Sequence, residues 1–372
     1  MSNLINAIPG MASYMDADVD VEVKVGEPEE VAAAAEETAA EAVEVETTDS
    51  EIQDDADAAD EMFARFDELD RMEAYVTKYG VDRAFLALNS YEGSLVTALV
   101  TLPSCESFDA TGDVNSPESI ACVEGFKEAA KAVWDFIKRM ASKIKEFVLR
   151  IVEMIRQRLT SLDKNIGRMR EAMESRTDAP ELLKDVKTSV YTKKDLESIG
   201  TKNVKMVMEE AKKAADNLVK CASAISSGKK SEAEGFVSAS DTIVNAIVTS
   251  AEKMKKSRGT AKKVALSKIS WAEAKDMLNT AAEMKTIVDL SAATGNVLKS
   301  ASEQFIKVAD GMKNRGDEGG KELASIARKA SALLNRVSSA FAGVLAHANW
   351  MAGQYMHTAG QRITRGSKKS DN

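Results

Sequence analysis

Residues 116–174 read SPESIACVEGFKEAAKAVWDFIKRMASKIKEFVLRIVEMIRQRLTSLDKNIGRMREAME, and their reading decides the fold class. Ser116 can cap the first free N–H groups of a helix, and Pro117 suits the first helical position. Beyond them Ile137, Ala141, Ile144, Val148, Ile151, Ile155, Leu159, Leu162, Ile166, Met169 and Met173 recur at spacings of three and four. One apolar stripe is thus sustained over about ten turns, the mark of a long amphipathic helix. Lys131, Lys138, Arg139, Lys143, Lys145, Arg150, Arg156, Arg158, Lys164, Arg168 and Arg170 fall mostly beside the stripe. A charged face is most often simply solvated. An excess of bases also suits phosphates or an anionic membrane surface.

Downstream, no proline follows Pro180, which favours further long helices, since proline costs about 3 kcal/mol in a helix interior. Helices are expected over residues 180–191, 204–226 and 235–257. Ser270 and Glu273 have capping-box spacing and should open a helix running from Trp271 to Met312. The glycine-rich run from Gly311 to Gly320 should break the chain. A last long helix is expected from Lys321 to Tyr355, its Ala, Ser and Gly residues permitting close contact. Val337–Gln361 lacks any Asp, Glu, Lys or Arg but holds His347, Asn349, Gln354, His357 and Gln361. A tightly packed helix fits that mixture better than a membrane span. The end of the chain, residues 360–372 with Arg362, Arg365, Lys368 and Lys369, reads as a mobile basic tail. The expected fold is all-α: a long-helix bundle with a basic body over residues 118–359.

Upstream the character changes. Residues 1–60 are acidic and lack the apolar mass to fold, so a disordered leader is expected. Its first fifteen residues have no basic n-region, so no secretory signal is expected there. Over residues 61–101 apolar residues return at helical spacing (Met62, Phe63, Phe66, Leu69, Met72), predicting two short helices broken around Gly80. Residues 102–117, LPSCESFDATGDVNSP, form a turn-rich linker. Residues 1–124 carry 30 acids against five bases, a net −25, while the remaining 248 carry 29 acids against 45 bases, a net +16. Such a split implies parts with different partners or an internal mask; an acidic tail that only confers solubility is the plainer alternative.

Little in the sequence promises catalysis. No phosphate-cradling glycine loop, dinucleotide fingerprint, metalloprotease helix or nucleophile elbow is present. Cys105, Cys122 and Cys221 have no metal-ligand spacing, and His347 and His357 lie far from them, so neither a zinc site nor any other cofactor is expected. Cys221, in VKCASAIS, reads as a small core residue, and Trp134, Trp271 and Trp350 as core anchors rather than a stacking ladder.

Three strings carry a resemblance: Ser90-Tyr91-Glu92-Gly93, Leu102-Pro103-Ser104-Cys105-Glu106-Ser107-Phe108-Asp109, and Asn115 to Gly125 (NSPESIACVEG) ahead of the amphipathic helix. Over about 60 residues the chain resembles internal head proteins of large tailed bacteriophages, which ride inside the prohead core. The resemblance implies an N-terminal propeptide removed by a prohead protease, which cuts after Glu with a small residue two positions earlier. It implies capsid and prohead core proteins, packaged double-stranded DNA and further copies of the chain as partners, and a place inside the virion head. Glu92, Glu106, Glu118 and, after Cys122, Glu124 fit the cleavage pattern; Glu106, followed by Ser107, has the least helical flanks. Ala301-Ser302-Glu303 and Ser250-Ala251-Glu252 fit it too, but within expected helices. DNA contacts are expected from Lys138, Arg139, Lys143, Lys145, Arg150, Arg156, Arg158, Arg362, Arg365, Lys368 and Lys369. A membrane-active or injected effector using the cationic helix, and an unprocessed helical scaffold, are the alternatives.

Overall fold

A computed structural model describes residues 68, 71–82, 85, 113–174, 187–199, 201–258, 262–283, 285–313 and 318–364. The expected disorder of residues 1–60 lies outside them, as do Glu92, Glu106, Ser107, Arg365, Lys368 and Lys369. Among the described residues the fold is all-α apart from two short strands. In chain order the elements are α1 (residues 71–79), α2 (Pro117–Glu174), β1 (Lys187–Val190), α3 (Lys193–Ile199), α4 (Thr201–Ser226), α5 (Lys230–Ser257), β2 (Lys262–Ala265), α6 (Trp271–Glu283), α7 (Lys285–Met312) and α8 (Glu318–Thr364).

α2 opens where its sequence says it should. The Ser119 N–H donates to Ser116 Oγ at 3.1 Å, and the Ile120 N–H to the Ser116 carbonyl at 3.0 Å. The apolar stripe is the buried face: Ile137, Ala141, Ile144, Val148, Ile151, Leu162, Ile166, Met169 and Met173 are all in the core.

α8 is the central helix. It packs against α2, α4, α5, α6 and α7, so most of its circumference is covered by other helices. That explains the missing charges of Val337–Gln361: an ionised side chain there would lose its water without a partner. Small residues let the neighbours approach, and Phe341, Val344, Met351 and Tyr355 fill the gaps between them.

α2 and α7 run antiparallel in a fixed register. Asp135 pairs with Lys313 (2.7 Å), Lys138 with Asp310 (2.6 Å) and Lys145 with Glu303 (3.0 Å), partner numbers falling as the others rise. Further along the same line Gly295 of α7 faces Val152 of α2. A Cβ at Gly295 would lie 2.5 Å from Val152 Cγ2. Valine in a helix has essentially one χ1 rotamer, so that methyl cannot swing aside. Gly295→Ala gains ~1 kcal/mol of helix propensity but overpacks the contact by roughly 1–3 kcal/mol. We expect a lower melting temperature, restored by adding Val152→Ala; a rise in the single variant would contradict the close contact.

Two expectations need correction. The helix predicted for residues 180–191 is replaced at its end by β1, which pairs antiparallel with β2, Lys187 opposite Ala265 and Val190 opposite Lys262. β-Branched Thr188 and Val190 suit a pleated surface, and Val190 joins Leu266 and Ile269 in a small separate core. Next to the strand, Thr192 and Asp195 cap each other's backbone N–H (3.3 and 3.2 Å) and open α3. The helix predicted from Trp271 to Met312 is present over Trp271–Glu283 (α6) and Lys285–Met312 (α7), with Met284 between them outside the described residues. Its predicted cap is present: the Glu273 N–H donates to Ser270 Oγ at 3.0 Å. Nor does the last helix stop at Tyr355 or the tail begin at Gly360. α8 continues to Thr364 because its final turns are tied down. Thr358 Oγ1 donates to the Tyr191 carbonyl (3.0 Å), and Arg362 Nε donates to the Ile269 carbonyl (2.9 Å) while its guanidinium lies 5.4 Å from the centre of the Trp271 ring.

Candidate functional site

The junction between leader and body is built from α1, the turn after it and the start of α2. Gly80, at φ 73°, ends α1, its N–H donating to the Val76 carbonyl at 2.8 Å. A positive φ is strained for any side chain but free for glycine, as the predicted break at Gly80 anticipates. Residues 113–116 form a turn in which the Asn115 N–H donates to Asp113 Oδ1 (2.9 Å) and the Ser116 N–H to the Asp113 carbonyl (3.1 Å). Ser119 is fully buried at the centre. Its hydroxyl donates to the Asp113 carbonyl (2.8 Å) and accepts from Ser116 Oγ (2.9 Å) and the Val81 N–H (2.9 Å).

This geometry sorts the cleavage candidates. Glu118 lies in the first turn of α2, and Glu124, exposed, is helical too. Cutting before Ser119 would require unwinding that turn. Neither position has the extended backbone a protease cleft accepts, in keeping with the helix predicted from Ser116 and Pro117 onward. Glu303 and Glu252 are likewise helical, as expected.

The predicted basic face divides. Lys138 and Lys145 are engaged with Asp310 and Glu303 of α7, and Lys145 holds the Glu303 carboxyl below its usual range. Their charge is spent on the neighbouring helix. Arg139, Lys143 and Arg150 share one exposed face of α2, where Glu146 and Glu153 alternate with them. For Arg156 and Arg158 the described structure gives only their place in α2. Arg362 is not a surface contact: it is 6% exposed, behind Trp271 and Ile269. The last turn of α8 thus lies beside Ile269, and Arg365, Lys368 and Lys369 are outside the described residues.

That end of the molecule carries a basic run that helical periodicity does not single out. Residues 253–268, KMKKSRGTAKKVALSK, hold seven bases and no acid, and Lys253, Lys255, Lys256, Lys262, Lys263 and Lys268 are exposed. Acids approach from the side: Lys262 pairs with Asp195 at 3.1 Å, and Lys256 with Glu252 at 3.9 Å. A count of charge along the chain, rather than around a helix, would have found this run.

Behind it lies a buried polar cluster. His347 is fully buried on α8, stacked on Trp350 (ring centres 5.7 Å apart), with Arg258 Nε donating to its Nδ1 at 3.4 Å. Burial, reinforced by the Arg258 charge, holds His347 down at about 4, below its ordinary 6.5. The folded form then binds fewer protons than the unfolded chain between those two values. Its contribution is fully present above pH 6.5 and is lost as the pH falls toward 4. That amounts to ~3 kcal/mol at most. His347→Leu should flatten the pH dependence of urea unfolding across that window; an unchanged slope would show that His347 does not titrate there. Cys122 and Cys221 are buried as well, with thiols pushed up to about 11 and about 12, which disfavours the thiolate and leaves them as packing groups.

Among the described residues no helix is long and apolar enough to cross a membrane. No protein family, curated protein or solved structure matches the chain.

Proposed function

We propose that the chain is a non-enzymatic internal head protein of a tailed phage, assembled in the prohead core and cut after Glu106 by the prohead protease. The observation that carries this reading is the change of charge at that point. Residues 1–106 hold 26 acids and five bases, and residues 107–372 hold 33 acids and 45 bases, so a chain of net −9 becomes a body of net +12. An intact chain is repelled by packaged DNA, and the body is not. The basic run at residues 253–268 supports phosphate contact without sequence reading, since phosphate contacts carry no base information.

N-terminal sequencing of the chain from finished particles tests this. A start at Ser107 is expected. A start at Met1 or Ser2 would leave only an acidic-tailed scaffold, and a start at Gly93, Ser119 or Gly125 would keep processing but move the site.

A further inference from the structure

The cut proposed above removes the peptide connection between leader and body, yet the contacts that hold the leader lie elsewhere. Val76, Val81 and Phe85, each 3% exposed or less, belong to the same continuous apolar core as α2 and α8, with Met72 and Tyr75 packed against it. Two polar ties fasten the segment at separate points. The Val81 N–H donates to the buried Ser119 hydroxyl at the start of α2. The Glu73 carboxylate, largely buried, pairs with Lys321 in the first turns of α8. The segment also fixes its own shape. Tyr75 donates its hydroxyl to Asp82 Oδ2 (2.8 Å) and stacks on Phe85 (5.8 Å between ring centres), while the Phe85 N–H donates to Asp82 Oδ1 (2.6 Å). A contact surface so preorganised loses little ordering entropy when it docks as a separate piece.

We infer that residues 71–85 are a docking module that keeps the acidic leader on the body after the linker is cut. The mature particle step then has two stages: cleavage first, and displacement of this module second. The switch of charge comes with the second. The inference takes the position of the cut from the proposed function; the docking itself does not depend on it.

The test uses the full-length chain with a site-specific protease sequence inserted between Glu106 and Ser107. After cutting, the fragments are run through size exclusion at about 20 µM, a concentration well below the millimolar effective value of a short tether, in 150 mM and in 1 M salt. We expect the two fragments to co-elute at both salts, and the cut protein to bind duplex DNA as weakly as the uncut one. Val76→Asp with Phe85→Asp should make the fragments separate once cut. Circular dichroism of that variant before cutting establishes that its body is folded. Lys321→Glu should weaken the association about tenfold by placing two carboxylates together. Separation of the unsubstituted fragments overturns the inference, and so does co-elution that persists in the double variant or vanishes in 1 M salt, which would assign the attachment to opposite charge alone. None of these results bears on where the particle-derived chain begins, so the processing reading stands or falls separately.

Discussion

A chain beginning at Ser107 is expected to bind duplex DNA without sequence preference and to lose affinity about a hundredfold between 50 and 200 mM salt, as contact with roughly four phosphates would give. The full-length chain should bind at least about tenfold more weakly at low salt, because its 26 added acids outnumber its five added bases and compete with DNA for the same lysines. The structure refines which bases matter. Lys138 and Lys145 face carboxylates of α7, so replacing them should disturb the α2–α7 register more than DNA binding. Lys253, Lys263 and Lys268 are exposed in a run with no acid, so changing all three to Gln should lower both affinity and salt slope. The same change at Arg139, Lys143 and Arg150 should cost less, since Glu146 and Glu153 share their face. Fluorescence anisotropy with a labelled duplex at several salts measures all of this. Equal binding by the two chain lengths at 50 mM salt would remove the argument from charge.

What could be read from the sequence was what a single element dictates about itself. The start of α2 follows from Ser116 and Pro117, and its buried face from a period that never breaks between Ile137 and Met173. The uncharged stretch Val337–Gln361 announced a helix surrounded by others. What could not be read depends on residues far apart in the chain. β1 and β2 are four residues each, joined by no hairpin turn, and pair across more than 70 intervening residues. Nothing local distinguishes such a strand from a poor helix. The capture of Lys138 and Lys145 depends on the register of α7, and the burial of Arg362 on where Trp271 and Ile269 come to rest. The charge change across the linker was legible because it is only a sum over sequence. That Val76, Val81 and Phe85 join the core of the body was not, because their spacing says only that they lie on an apolar side.

Replacing Glu106 with Gln is expected to abolish the main processing event while leaving the fold unchanged. Glutamine keeps the size of the side chain and removes only the carboxylate that the protease pattern requires. From the sequence alone, Pro103 disfavours helical backbone at Leu102 and predicts an extended stretch just ahead of the site, which suits a protease cleft. The structure then says why neighbouring glutamates should not take over. Cleavage after Glu118 would have to unwind the first turn of α2, breaking the hydrogen bonds of Ser119 to Asp113, Ser116 and Val81. Cleavage after Glu124 would unwind more of α2, including the turn that buries Cys122 to 1% exposure. Each would cost several buried contacts before the first peptide bond could enter a protease cleft, so a chain starting at Ser119 or Gly125 should not accumulate. Glu92, ahead of the linker in sequence, lies outside the described residues, and a product starting at Gly93 is the remaining fallback. Mass spectrometry of the particle-bound chain gives the new terminus directly, and a melting curve of the variant, expected within about one degree of the unsubstituted protein because surface changes rarely exceed ±0.5 kcal/mol, separates lost cleavage from lost folding. A Glu106→Gln chain still beginning at Ser107, or one beginning at Ser119, would mean that the protease reads something other than an extended stretch ending in a carboxylate.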